Sequence, residues 1–228
     1  KLADSDLGSP TMFEVTTAIA LFYFSKKAIP DYVVWETGLG GKQDVTNIVF
    51  PVASVITNIG HDHMEILGET IEEIAYEKAG IIKAGMPVIS ACTQAEAVQV
   101  LENVASEKKS TLYLLNRDFS YEITEMKEGE TTFLFKGPYS EYGPVKLNLT
   151  GEHQVQNAAV ALMTLEILRQ FNAAIIEEED LLTGMKRLKW PGRLEKIGQQ
   201  PVMLLDGAHN PEGAKRLADT LPRIYPIQ

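Results

Sequence analysis

Strand-length apolar runs alternating with helical spacing constrain this chain more than any other feature. The runs are Tyr32 to Trp35, Val52 to Thr57 and Val88 to Ala91, and helical patterns cover about Thr11 to Lys27, Thr70 to Ile82 and Gln94 to Lys108. Helix and strand in turn, with apolar strands of this length, predict a mostly parallel sheet with helical crossovers on both faces. Thr70 and Glu73 have capping-box spacing and set the start of the second helix. Thr11 and Glu14 repeat that spacing, so Glu14 reads as a capping residue, although Phe13 and Glu14 could also touch a substrate.

From about Thr111 to Asn148 the pattern shifts to short alternating segments, Tyr121 to Thr124 and Thr132 to Phe135, with turns at Glu128-Gly129 and Gly137-Pro138. This predicts a small antiparallel β insert at about 111–150. Helices from about Gln154 to Phe171 and Glu178 to Leu188 follow, then a break at Trp190-Pro191-Gly192. A strand Val202 to Leu205 and a helix after Pro211 open a new α/β unit. A lone strand and helix cannot bury both faces, so the division is a central α/β domain over 1–198 and the start of a second α/β domain over 199–228. The first residue is Lys1, and the chain reads as cut from something longer.

Composition matters mainly for what it excludes. A formal charge of −10 repels nucleic acid and anionic lipid surfaces, though local cations in a cleft still admit a small anion. The longest apolar stretch, Ala18 to Phe24, ends at Ser25, Lys26 and Lys27, short of the roughly 20 residues needed to cross a bilayer. Cys92 is the only cysteine, which favours a reducing compartment.

Chemistry-bearing residues cluster at strand ends, where open α/β sheets bind ligands. Glu36 to Asn47 follows the first run with three glycines among residues 38–41, which allow close backbone approach to a phosphate or a metal-bound substrate. A glycine turn with a solvated glutamate is the alternative. It is no phosphate loop of the Gly-Lys-Ser/Thr type, because Gln43 follows Lys42. After the next run, His61, Asp62 and His63 could ligate a metal or merely brace a loop. The nearby oxygen-rich set of Glu36, Asp44 and Asp62 suits Mg²⁺ better than zinc.

Lys78 falls on the apolar stripe of Ile71, Ile74, Ala75 and Ile82, so it points inward. Either its stem snorkels to the edge or its desolvated amine takes up chemistry. Gln154 and Asn157 share one face near the positive end of a helix and suit an anion or a nucleotide base, if they are not simple first-turn residues. Asp206 ends the Val202 to Leu205 run, and Asp206, His209 and Asn210 fill a strand-to-helix loop before Pro211. Arg193 cannot lose its charge and is shaped for phosphate.

Taken in order, these strings resemble the Mur ligase superfamily, and within it the folylpolyglutamate synthase and dihydrofolate synthase branch. They are Glu36-Thr-Gly-Leu-Gly-Gly-Lys-Gln-Asp-Val-Thr-Asn47, Asp62-His63 through Leu67-Gly68, Ile74 to Ile81 around Glu77-Lys78-Ala79-Gly80, Gly192-Arg193-Leu194-Glu195, and Asp206-Gly207-Ala208-His209-Asn210-Pro211. The resemblance spans nearly the whole chain. Two mild departures are Lys42, where arginine is common, and Val45, where alanine is usual.

The resemblance implies an ATP-dependent ligase that adds L-glutamate to the carboxylate of a folate or dihydropteroate through an acyl phosphate, in the cytoplasm. It implies Glu36 and His63 as Mg²⁺ ligands, with K⁺ a second candidate cation, and a carbamate on Lys78. It further implies Asn157, Arg193 and Asp206 as nucleotide contacts and His209 as a catalytic residue. The family's upstream phosphate loop is missing from this sequence, so the isolated polypeptide is expected to be inactive and to bind ATP poorly. The competing readings are another Mur-type ligase acting on a cell-wall precursor, and a non-catalytic binding remnant.

Overall fold

The structure is a computed structural model that describes residues 8–61 and 63–225. Local capping chemistry accounts for where its first helices start. Helix α1 (Met12–Tyr23) opens on the capping box of Thr11 and Glu14 and runs into a π-helical turn, Phe24–Ala28. The Thr11 backbone and hydroxyl hold the Glu14 carboxyl below its ordinary range.

Strands β1 (Ser54–Ile56), β2 (Val88–Ser90) and β3 (Leu112–Leu114) form a three-stranded parallel sheet in that order. Helix α2 (Met64–Leu67) and helix α3 (Ile71–Ala79) lie between β1 and β2, and α4 (Ala95–Glu107) lies between β2 and β3. The capping box of Thr70 and Glu73 starts α3 as the spacing predicts. Around β1 to β2 a core forms from Ile56, Ile59, Ile74, Ala75, Ile82, Val88, Ala97 and Leu101, each at most 4% exposed.

The antiparallel sheet contains β4 (Ser120–Lys127), β5 (Glu130–Lys136) and β6 (Glu141–Leu147). Its apolar face, with Phe133, Phe135, Val145 and Leu147, packs with the buried stripe of α5 (Glu152–Phe171), which includes Val155, Ala159, Leu162, Met163 and Ile167. After α6 (Glu178–Arg187), β7 (Glu195–Gln199) and β8 (Val202–Leu205) pair antiparallel, and α7 (Pro211–Ile224) follows. Asn210 caps α7 through its side chain, with Pro211 in the first turn.

Three expectations change. Tyr32 to Trp35 forms no strand among the described residues, and Val34 is fully exposed. An extended backbone becomes a strand only when a neighbour takes its hydrogen bonds; this segment is anchored by the Trp35 indole N–H, which donates to the Thr46 carbonyl at 3.0 Å. The insert starts later than 111, because β3 pairs parallel with β2 and belongs to the first sheet. The Val202 to Leu205 strand does not stand alone: β8 pairs antiparallel with β7, and Val202, Met203 and Leu205 are each close to half exposed. Its partner β7 carries no apolar run, and it went unseen in the sequence. No helix of the described residues is long and apolar enough to cross a membrane.

Candidate functional site

The site is built where loops after strands meet the starts of α5 and α7. A cavity of about 510 Å³ is lined by Asn58 and Gly60 after β1, Lys78 on α3, His153, Gln154 and Asn157 on α5, Arg193 before β7, and Asp206 to Gly213 at the start of α7. Lys78, Asn157, Arg193, Asp206 and His209 therefore line one space, although they lie on four separate segments. Lys78 is half-buried and faces this cavity, which answers the inward position of its helical stripe.

Asp206 organises the loop around it. Its two carboxylate oxygens accept from the backbone N–H groups of Leu194 at 2.9 Å and Ala208 at 2.8 Å. These bonds hold the segment bearing Arg193 against the loop before α7, and the Gly207 amide also donates to the Gly192 carbonyl at 2.8 Å. Gly207 lets the Arg193 guanidinium lie directly on the backbone, where any side chain at 207 would collide with it. The His209 Nδ1 lies 2.8 Å from the Gly207 carbonyl, a contact that favours a proton on Nδ1.

His153 also lines the cavity. Burial pushes its imidazole pKa below the usual value, Arg216 and Arg193 push the same way, and Asp206 opposes them. Its ring edge abuts Gly151, whose φ of 110° and missing side chain leave room for it. Asn58, Gly60, Glu212 and Arg216 were missed at the sequence level. Their only signal was an i,i+4 charge pair at the start of α7 and a polar residue after an apolar run.

Glu36 and His63 are not among the cavity-lining residues. Their segments do adjoin the helix of Lys78. The Lys42 amide donates to the Glu77 carbonyl at 2.8 Å, and a Cβ on Gly40 would stand 2.7 Å from Leu67 of α2. His63 sits just before α2 with φ at 51°, a left-handed conformation that costs energy in a residue with a side chain. Glu36 is exposed, and it does not sit at the end of a formed strand.

Among the described residues the expected oxygen-rich set is not assembled. Asp44 gives its carboxylate to the Leu39 amide at 2.8 Å and to the Thr46 amide and hydroxyl. Burial raises its pKa, and these hydrogen bonds outweigh burial and leave it lowered. Asp62 lies outside the described residues. Among the described residues, no three His, Cys, Asp or Glu side chains gather to hold a metal ion. The described residues thus do not form a closed Mg²⁺ site by themselves. Glu14, considered for substrate contact, is spent on its cap, and the ring of Phe13 packs over Gly38 of the glycine loop.

Comparison with known proteins fits this geometry. Residues 7–165 match the Mur ligase middle domain family. The chain is 45% identical to the dihydrofolate synthase/folylpolyglutamate synthase of Bacillus subtilis, over 98% of this chain and 52% of that protein. The folylpolyglutamate synthase of Thermotoga maritima superposes with a TM-score of 0.86 at 38% identity, covering 98% of this chain and 50% of that one. An FPGS-AMPPCP-folate complex superposes with a TM-score of 0.90 at 33% identity, covering 96% and 53%. The chain spans about half the length of these relatives. It belongs to the Mur ligase middle domain family, in the folylpolyglutamate synthase and dihydrofolate synthase branch.

Proposed function

We propose that this chain supplies the nucleotide-facing part of an ATP-dependent ligase that joins L-glutamate to the carboxylate of a folate or dihydropteroate. The observation that carries this reading is the shared cavity of Lys78, Asn157, Arg193, Asp206 and His209. The relative bound to AMPPCP and folate has the same fold, which favours folates over a cell-wall precursor as substrate.

In this reading a substrate carboxylate oxygen attacks the γ-phosphorus of ATP, ADP leaves, and an acyl phosphate forms. The glutamate amine then attacks the acyl carbon, loses a proton, and phosphate leaves as the amide closes. Charge develops on phosphoryl oxygens in the first step and on the tetrahedral oxygen in the second, so fixed cations aimed at both are the main catalytic resource. Arg193 supplies one such charge, its loop held by the backbone bonds to Asp206. Asn157 offers a carboxamide to the nucleotide at the dipole-positive start of α5. His209, with Nδ1 turned to a carbonyl, lines the same cavity.

Mg²⁺ at Glu36 and His63, K⁺ as a further cation, and a carbamate on Lys78 belong to the proposal through the family resemblance. The support within this chain is the packing of the glycine loop and α2 against α3. Mass spectrometry under bicarbonate reads the carbamate on Lys78 directly.

Nuclear magnetic resonance titration of the ¹⁵N-labelled chain with AMPPCP tests the reading even at millimolar affinity. Shifts centred on Asn157, Arg193 and Asp206, weakened in Arg193→Ala, are the expected result. Shifts centred elsewhere overturn it.

A further inference from the structure

Two charged residues on the cavity wall are not explained by nucleotide binding. Glu212 lies in the first turn of α7 and Arg216 one turn later, so both face the cavity from the same helix side. The Arg216 guanidinium donates to Glu212 Oε1, and the Asn58 amide donates to the same oxygen at 3.2 Å. Glu212 packs so closely on Gly60 that any side chain at 60 would collide with its carboxylate. The β1 loop and α7, distant in sequence, are thereby fitted around this one acid.

Charge decides what such a wall can take. Among the described residues the cavity carries two carboxylates, Asp206 and Glu212, beside Lys78, Arg193 and Arg216. Asp206 is committed to backbone N–H groups. Glu212 is held by side chains, Asn58 and Arg216, which can turn aside when a ligand arrives. A polyphosphate gains nothing from Glu212, because like charge in a cleft repels it. An α-amino acid differs: its ammonium and carboxylate lie on one carbon, and a carboxylate next to a guanidinium is their mirror image.

Resting on the ligase reading above, we propose that Glu212 and Arg216 form the subsite for the zwitterionic end of the incoming amino acid. Glu212 takes the ammonium and Arg216 takes the α-carboxylate as a two-pronged guanidinium partner. The internal pair is an exposed i,i+4 contact, with side-chain exposures of 44% and 33%, so little stability is lost when it opens. Asn58 holds Glu212 in register from the opposite wall. The subsite thus places the amine in the cavity that the nucleotide residues share, where an acyl carbon can be reached once the ammonium gives up its proton.

The test titrates the ¹⁵N-labelled chain with four probes: L-glutamate, glycine as the minimal zwitterion, N-acetyl-L-glutamate without the ammonium, and 4-aminobutyrate without the α-carboxylate. L-Glutamate and glycine are expected to shift the amides of Asn58, Gly60, Glu212 and Arg216, and the two blanks to bind at least about tenfold more weakly. Glu212→Gln, which keeps shape and an acceptor oxygen for Asn58, is expected to remove the preference for L-glutamate over its N-acetyl form. Arg216→Gln is expected to remove the preference over 4-aminobutyrate. Equal binding of the zwitterions and the blanks, or no saturable shift in this cluster, overturns the subsite. A parallel AMPPCP titration separates the two readings. Nucleotide shifts without amino-acid shifts overturn the subsite alone, and amino-acid shifts without nucleotide shifts sustain it while overturning the nucleotide role.

Discussion

The amide of Lys42 donates to the carbonyl of Glu77 at 2.8 Å, binding the glycine loop to the helical turn that carries Lys78. Asn47 completes the clamp, its Nδ2 donating at 3.1 Å to the carbonyls of both Lys42 and Gly80. Three glycines make the approach possible. A Cβ on Gly41 would stand 2.8 Å from the Glu77 carbonyl, one on Gly38 would strike the ring of Phe13, and one on Gly80 would strike the Lys42 backbone. Here the glycines serve closeness, since none of these three has positive φ.

Gly80→Ala is therefore expected to force apart two backbones that cannot yield like a flexible side chain. Overpacking of this kind costs about 1–3 kcal/mol, and Asn47→Ala, which strands two carbonyls, about 1–3 kcal/mol. Urea unfolding checks both. A Gly80→Ala protein as stable as the parent would show that the loop and α3 are not clamped.

The two capping boxes give a contrast. Thr70→Ala should cost about 1 kcal/mol of global stability, because α3 packs Ile74, Ala75 and Ala79 in the core. Thr11→Ala removes the same local bonds, yet Thr17 is the one buried residue of α1. Its effect should show as faster hydrogen exchange in α1 with little change in the unfolding midpoint. Equal midpoint shifts for the two variants would contradict this.

These elements also show what the sequence could and could not reveal. Caps, helices and the inward Lys78 were legible because their causes lie within a few residues. Tyr32 to Trp35 misled because β-branched and aromatic residues promise an extended backbone, whereas pairing depends on a distant partner. Strand β7, Glu195 to Gln199, was invisible for the converse reason: its sequence is polar, and it is a strand through pairing with β8. In the site, Asp206 and Arg193 carried motif signals. Glu212 and Arg216 carried only the charge spacing of any solvated helix, and their meaning comes from Asn58 and Gly60 more than 150 positions away.

Acid should weaken the fold through His153. Its pKa is lowered in the folded chain by burial first and then by Arg216, so the unfolded chain binds more protons as pH falls below about 6.5. Stability is then fully present above that pH and declines as pH drops through the folded value. His153→Gln should flatten this decline, so that the parent loses more stability than the variant between pH 7.5 and 5.5. Urea midpoints at the two pH values measure the difference, and parallel losses in both proteins would place the acid sensitivity elsewhere.

The strongest single-residue effect on stability is expected away from the cavity-lining residues, at Arg169, the cation beside Glu166 on α5. This carboxylate is 2% exposed, yet it meets the Tyr142 hydroxyl of β6 and the Arg169 guanidinium, which also donates to that hydroxyl. Burial, then the Glu166 contact, raises the Tyr142 pKa, so the phenol keeps its proton and donates. Arg169→Leu would leave the carboxylate buried without its cation and should cost about 3 kcal/mol. The double variant Glu166→Leu with Arg169→Leu removes the buried charge along with its partner and should regain part of that loss, because no unpaired charge is left inside, while the Tyr142 hydroxyl loses both contacts. A double-mutant cycle by urea unfolding decides it: additive losses would mean that the two residues act independently.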